Sequence, residues 1–89
     1  SAKRLPTRIV GGVVAPMQGV VLKIRVHVGQ RVHKGDTLAI LEAMKMQNSI
    51  VAHEAGVISE ILVAEGDTVV ANDVLMVISQ QEELKITAS

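Results

Sequence analysis

The sequence predicts an all-β domain, a small flattened barrel-sandwich of two four-stranded antiparallel sheets related by an internal pseudo-two-fold repeat. Three observations carry that prediction. Displacing the chain by 37 residues sets Val14-Ala15 on Val51-Ala52, Gly19-Val20 on Gly56-Val57, Ile24 on Ile61, Val26 on Val63, Gly29 on Gly66, Val32 on Val69, Asp36 on Asp73 and Leu38 on Leu75, without a gap. The run after the first glycine alternates: Val20, Leu22, Ile24, Val26 and Val28 are expected on one face, and Lys23, Arg25 and His27 on the other. β-Branched residues dominate, and no stretch of useful length has helical spacing.

In chain order, residues 1–8 carry Lys3, Arg4, Arg8 and Pro6 without periodicity and read as a linker or chain end. The ordered domain is expected over residues 9–80. Each copy of the repeat offers about four short strands, with turns expected at Gly19/Gly56, Gly29/Gly66 and Gly35/Asn72. Where the first copy has Gly35 the second has Asn72, and both residue types tolerate the left-handed backbone of a tight turn. Residues 81–89 are polar, fall outside the repeat and read as a tail.

Between the copies lies Glu42-Ala43-Met44-Lys45-Met46. Thr37–Leu41 before it and Asn48–Ala52 after it are short apolar or β-branched runs, so the junction reads as a hairpin. Its tip has the wrong chemistry for a two-residue turn, which favours Asn-Gly or Asp-Gly because a Cβ resists positive φ. A broken local rule beside two apolar side chains at a tip marks a functional site. Taken singly, these residues read as an ordinary surface lysine between two core methionines; the repeat overrides that reading. Shifting Lys45 by 37 residues lands on Arg8 or Glu82, so the two-fold exchanges the hairpin with the chain ends.

At 89 residues the chain has room for one domain. Nine basic residues balance nine acidic ones, and there is no Phe, Tyr or Trp, which argues against a nucleic-acid module. All nine acids lie from Asp36 onward while residues 1–34 contain only cations, a pattern read as two solvated faces. The absence of cysteine removes disulfides and thiolate metal sites and is compatible with a reducing compartment. No apolar run is long enough to span a bilayer and no apolar core of a signal peptide is visible, so no direct membrane insertion is expected. No cysteine nucleophile, carboxylate pair or phosphate loop is evident. His27, His33 and His53 lack metal-ligand spacing and read as surface histidines, so neither a catalytic nor a metal site is expected.

Over residues 9–80 the chain resembles the biotinyl, or biotin carboxyl carrier, domain of biotin-dependent carboxylases, decarboxylases and transcarboxylases. The resemblance rests on Glu42-Ala43-Met44-Lys45-Met46, on Ala15-Pro16-Met17, and on Val28-Gly29-Gln30-Arg31-Val32-His33-Lys34-Gly35-Asp36-Thr37-Leu38. It implies that Lys45 takes covalent biotin from a biotin protein ligase. It also implies that a biotin carboxylase loads CO2 from bicarbonate onto the ring, and that a carboxyltransferase or decarboxylase component takes it up. It further implies that Met44 and Met46 are recognised by those enzymes and that Ala43 leaves room beside them. Gln18 departs from the pattern, standing where many relatives have a second proline. The resemblance places the protein in the cytoplasm, or in an organelle matrix in a eukaryote.

Nothing at the tip supplies a base, so activation of the amine falls to the ligase. Gly19 to Gly29 and Gly56 to Gly66 are both ten residues apart, leaving no room for the inserted thumb of some acetyl-CoA carboxylase carriers. A lipoyl-type carrier shares the fold and the lysine position, but its lysine usually stands between Asp and Ala. An unmodified structural adaptor also shares the fold and leaves Met-Lys-Met unexplained.

Overall fold

The computed structural model describes residues 10–80; the expected linker at 1–8, the start of order at Ile9 and the tail at 81–89 lie outside the described residues. Eight strands form: β1 (Gly12–Val14), β2 (Gly19–Ile24), β3 (Arg31–Val32), β4 (Thr37–Ala43), β5 (Met46–Val51), β6 (Gly56–Ile61), β7 (Thr68–Val69) and β8 (Val74–Ser79). They make two four-stranded antiparallel sheets, ordered β1-β8-β6-β3 and β5-β4-β2-β7. This is the architecture the repeat predicts.

The 37-residue displacement maps one sheet onto the other pair by pair. Gly12 opposite Val77 becomes Ser49 opposite Ile40, and Ile24 opposite Ala39 becomes Ile61 opposite Met76. The irregularities repeat as well. Pairing of β2 with β4 shifts between Val21 and Lys23, and pairing of β6 with β8 shifts between Ile58 and Glu60. A β-bulge puts two residues opposite one and resets which side chains face inward.

That reset corrects the simple alternation expected for the first run. Val21 is buried ahead of the bulge, whereas Val20 and Leu22 are only half-buried; beyond it Ile24 and Val26 point inward, and Val28 is exposed in a turn. The outward placement of Lys23, Arg25 and His27 holds. The core between the sheets is built from both copies in matched pairs, among them Val21 with Ile58, Leu38 with Leu75 and Leu41 with Ile78. No polar or charged side chain among the described residues is buried with it.

Four turns close the copies: His27–Gln30, His33–Asp36, Ala64–Asp67 and Val70–Asp73. In each, the fourth residue donates its N–H to the first carbonyl at 3.0–3.1 Å. Its side chain then accepts the first residue's N–H, at 2.8 Å for Asp36 on His33 and 2.9 Å for Asp67 on Ala64 and Asp73 on Val70. Gln30 does the same for His27 at 3.2 Å. The third position holds Gly29, Gly35, Gly66 or Asn72 at φ between 74° and 97°, the left-handed value that a type II turn requires there. Gly19 and Gly56 serve a different purpose from the turns expected of them. They begin β2 and β6, and a Cβ on Gly19 would stand 2.5 Å from the Glu42 carbonyl oxygen, so these glycines allow close strand contact.

Candidate functional site

β4 and β5 run on to Ala43 opposite Met46, leaving Met44 and Lys45 as a two-residue turn. Both have positive φ, 52° and 62°, which defines a type I′ hairpin built from residues that carry a Cβ. The left-handed conformation costs such residues roughly 1–2 kcal/mol each, so the tip is held there by the frame beneath it. The frame is well supplied: β4 is the central partner of β5 and β2, and Leu38, Ala39, Leu41 and Ala43 anchor it in the interior.

Asn48 adds a local clamp. Its side-chain NH2 donates to the Leu41 carbonyl at 3.3 Å and to the Met46 carbonyl at 3.2 Å, tying both legs of the hairpin just below the turn. Sequence reasoning missed it, although the position contrasts with the first copy, where the equivalent residue is Gly11 at φ 80°.

The side chains at the tip stand clear of the protein. Met44 is 87% and Met46 66% exposed, Lys45 is exposed, and Ala43 is buried beneath them. Among the described residues the Lys45 amine makes no hydrogen bond or ion pair. Register also places what surrounds this end. β7 runs toward it alongside the start of β2, so the Val70–Asp73 turn and the 15–18 loop flank the hairpin end; they are joined by Ala15 N–H to Asp73 O at 2.9 Å and Asn72 N–H to Ala15 O at 2.8 Å. The turns holding His27, His33 and Lys34 lie at the opposite end of the β2–β4 pair.

The expected surface histidines, His27, His33 and His53, are exposed, and His33 Nδ1 lies 3.9 Å from Asp36. Among the described residues no group of three His, Cys, Asp or Glu side chains could hold a metal ion, and no helix is long and apolar enough to cross a membrane.

A double sheet that holds the exposed Lys45 amine out on a two-residue turn has the form of a carrier, a domain that presents a group to active sites elsewhere. Residues 11–78 match the family model described as "Biotin-requiring enzyme", and the chain belongs to that family. Pyruvate carboxylase of Aspergillus terreus is 52% identical over 66 residues, covering 74% of this chain and 6% of that protein. The biotin carboxyl carrier protein of Streptococcus mutans is 52% identical over 65 residues, covering 73% of this chain and 50% of that protein. Among solved structures, the urea carboxylase of Kluyveromyces lactis superposes with a TM-score of 0.75 at 30% identity, over 89% of this chain and 7% of that one. The chain therefore spans half of the carrier protein and a small part of each carboxylase.

Proposed function

We propose that this chain is a biotin carboxyl carrier domain and that Lys45 is its attachment point. A biotin protein ligase transfers biotin from biotinyl-AMP to the Lys45 amine, forming an amide and releasing AMP. The loaded domain then visits a biotin carboxylase and a carboxyltransferase or decarboxylase component, in the cytoplasm or an organelle matrix. The observation that carries the reading is the type I′ turn itself. It fixes the backbone at Lys45, leaves the amine unpartnered among the described residues, and brackets it with exposed methionines.

The residues fit the cofactor. An amide at Nζ needs an accessible amine with clear space around it, and Lys45 offers both. When bound, biotin supplies a ring nitrogen that takes up and gives back CO2. The protein's own contribution is positional. The sheets fix where the arm begins, the lysine side chain supplies reach, and confinement of that reach raises the effective concentration at each site visited. Met44 and Met46 give partner enzymes an apolar surface against which to orient the amine, and buried Ala43 keeps the hairpin leg below them flush. A lipoyl-type carrier would use the same frame, but the Met-Lys-Met tip and the names of the relatives favour biotin.

The test is coexpression with a biotin protein ligase followed by intact mass and peptide mapping. One biotinyl group on Lys45 is expected, and Lys45→Arg should abolish it. Labelling that persists in that variant sinks the assignment.

A further inference from the structure

The four methionines divide sharply by exposure. Met76 is fully buried and Met17 half-buried against the core, while Met44 and Met46 stand 87% and 66% exposed on either side of Lys45. The chain contains no cysteine, so thioether sulfur is its only readily oxidised side-chain sulfur. We propose that Met44 and Met46 form a paired oxidation site whose conversion to sulfoxide reversibly withdraws Lys45 from its partner enzymes. The proposal rests on the carrier reading given above.

The chemistry balances with a hydroperoxide as oxidant. The thioether lone pair attacks the distal peroxide oxygen, the O–O bond breaks, sulfur loses two electrons to become the sulfoxide, and hydrogen peroxide leaves as water. A dithiol-dependent methionine sulfoxide reductase reverses the step, returning the thioether and water and leaving a disulfide on the reductase. Oxidation turns a flexible apolar side chain into a strongly dipolar one that prefers water. Neither exposed methionine belongs to the core, so the sheets should survive the change while the apolar surface beside the amine is lost. The two sulfurs lie within three residues, so one hairpin carries both the acceptor amine and its sensor.

The experiment treats the full chain with graded hydrogen peroxide, maps all four methionines by mass spectrometry, and measures the initial rate of biotin transfer by a biotin protein ligase. Met44 and Met46 should oxidise well before Met17 and Met76. Ligase labelling should fall about tenfold or more, the loss expected when the apolar contacts of the pair are forfeited. Treatment with both sulfoxide reductases and dithiothreitol should restore it. In a Met44→Leu/Met46→Leu chain, whatever its basal rate, peroxide should leave labelling unaltered. An oxidised wild-type chain labelled at Lys45 as fast as the untreated one overturns the inference alone. So does a loss of labelling that tracks Met17 or Met76, or one that the reductases do not reverse. An untreated chain that takes no biotin overturns the carrier reading and the inference with it.

Discussion

Replacing Met44 with asparagine should separate the stability of the hairpin from its use. Met44 sits at φ 52° in the first central position of a type I′ turn, where asparagine is among the preferred residues. A residue with a hydrocarbon side chain spends roughly 1–2 kcal/mol to stay there, and asparagine spends less because its short polar group can bond locally. Met44 is 87% exposed and outside the core, so little burial is lost in exchange. The net expectation is a gain of about 1 kcal/mol, which for a domain of this size raises the midpoint by about 4–8 °C. Thermal unfolding followed by circular dichroism measures it, with urea titration as an independent check.

The same substitution removes half of the apolar pair beside Lys45, so the rate of biotin transfer by the ligase should fall while stability rises. Opposite signs are the informative outcome. A lower midpoint would mean that the left-handed turn is not under strain or that Met44 packs where it looks free. A higher midpoint with undiminished labelling would remove Met44 from recognition.

Five further substitutions, read in three experiments, probe the frame. Gly19→Ala should cost about 1–3 kcal/mol, because the new Cβ stands 2.5 Å from the Glu42 carbonyl oxygen; Gly29→Ala, at φ 95° with nothing within 4 Å, should cost only the backbone strain of about 1 kcal/mol. Urea titration that ranks the two in reverse would contradict the close-approach account. Ile58→Ala, at a fully buried position, should cost about 2–5 kcal/mol, and half-buried Ile24→Ala distinctly less; equal costs in chemical denaturation would show that the bulge does not set which face is buried. Asn48→Ala should cost about 1 kcal/mol and speed amide exchange around Met46, since both of its hydrogen bonds tie the legs of the hairpin; unchanged exchange would remove its role as a clamp.

The fold was legible because the chain states it twice. A 37-residue match fixes which strands are equivalent, and equivalent strands must pair equivalently, so two sheets follow without any helix to place. The tip was legible for the opposite reason: Met-Lys is the wrong dipeptide for its turn, and the structure shows both residues paying that conformational cost. What escaped was whatever a single strand cannot report. Counting alternate residues from Val20 misses buried Val21 and misplaces Val20 and Leu22, because the shift between Val21 and Lys23 appears only when β2 is laid beside β4. Gly19 looked like a turn because glycine permits either positive φ or a close neighbour, and only the position of the Glu42 carbonyl decides between them. The aspartates at 36 and 73 were visible as a repeat pair, yet their purpose needed the turn geometry that lets each accept the N–H three residues back.

Duplication also accounts for an asymmetry between the two copies. The two-fold that carries β2 to β6 and β4 to β8 carries the end of β4 to the end of β8, and the start of β5 to the residues just before β1. In one half the chain therefore continues through the turn as a closed hairpin. In the other the corresponding strand ends are where the polypeptide enters near Gly11 and leaves near Gln80, joined across by the Ile78 N–H to Gly11 O bond of 2.9 Å. The asymmetry extends to the clamp: Asn48, whose side chain ties the closed hairpin, corresponds to Gly11, which has no side chain and a positive φ. On the carrier reading proposed above, a turn held by the paired sheets narrows where the Lys45 arm begins, so the freedom of its side chain goes to reaching a partner site rather than to locating it.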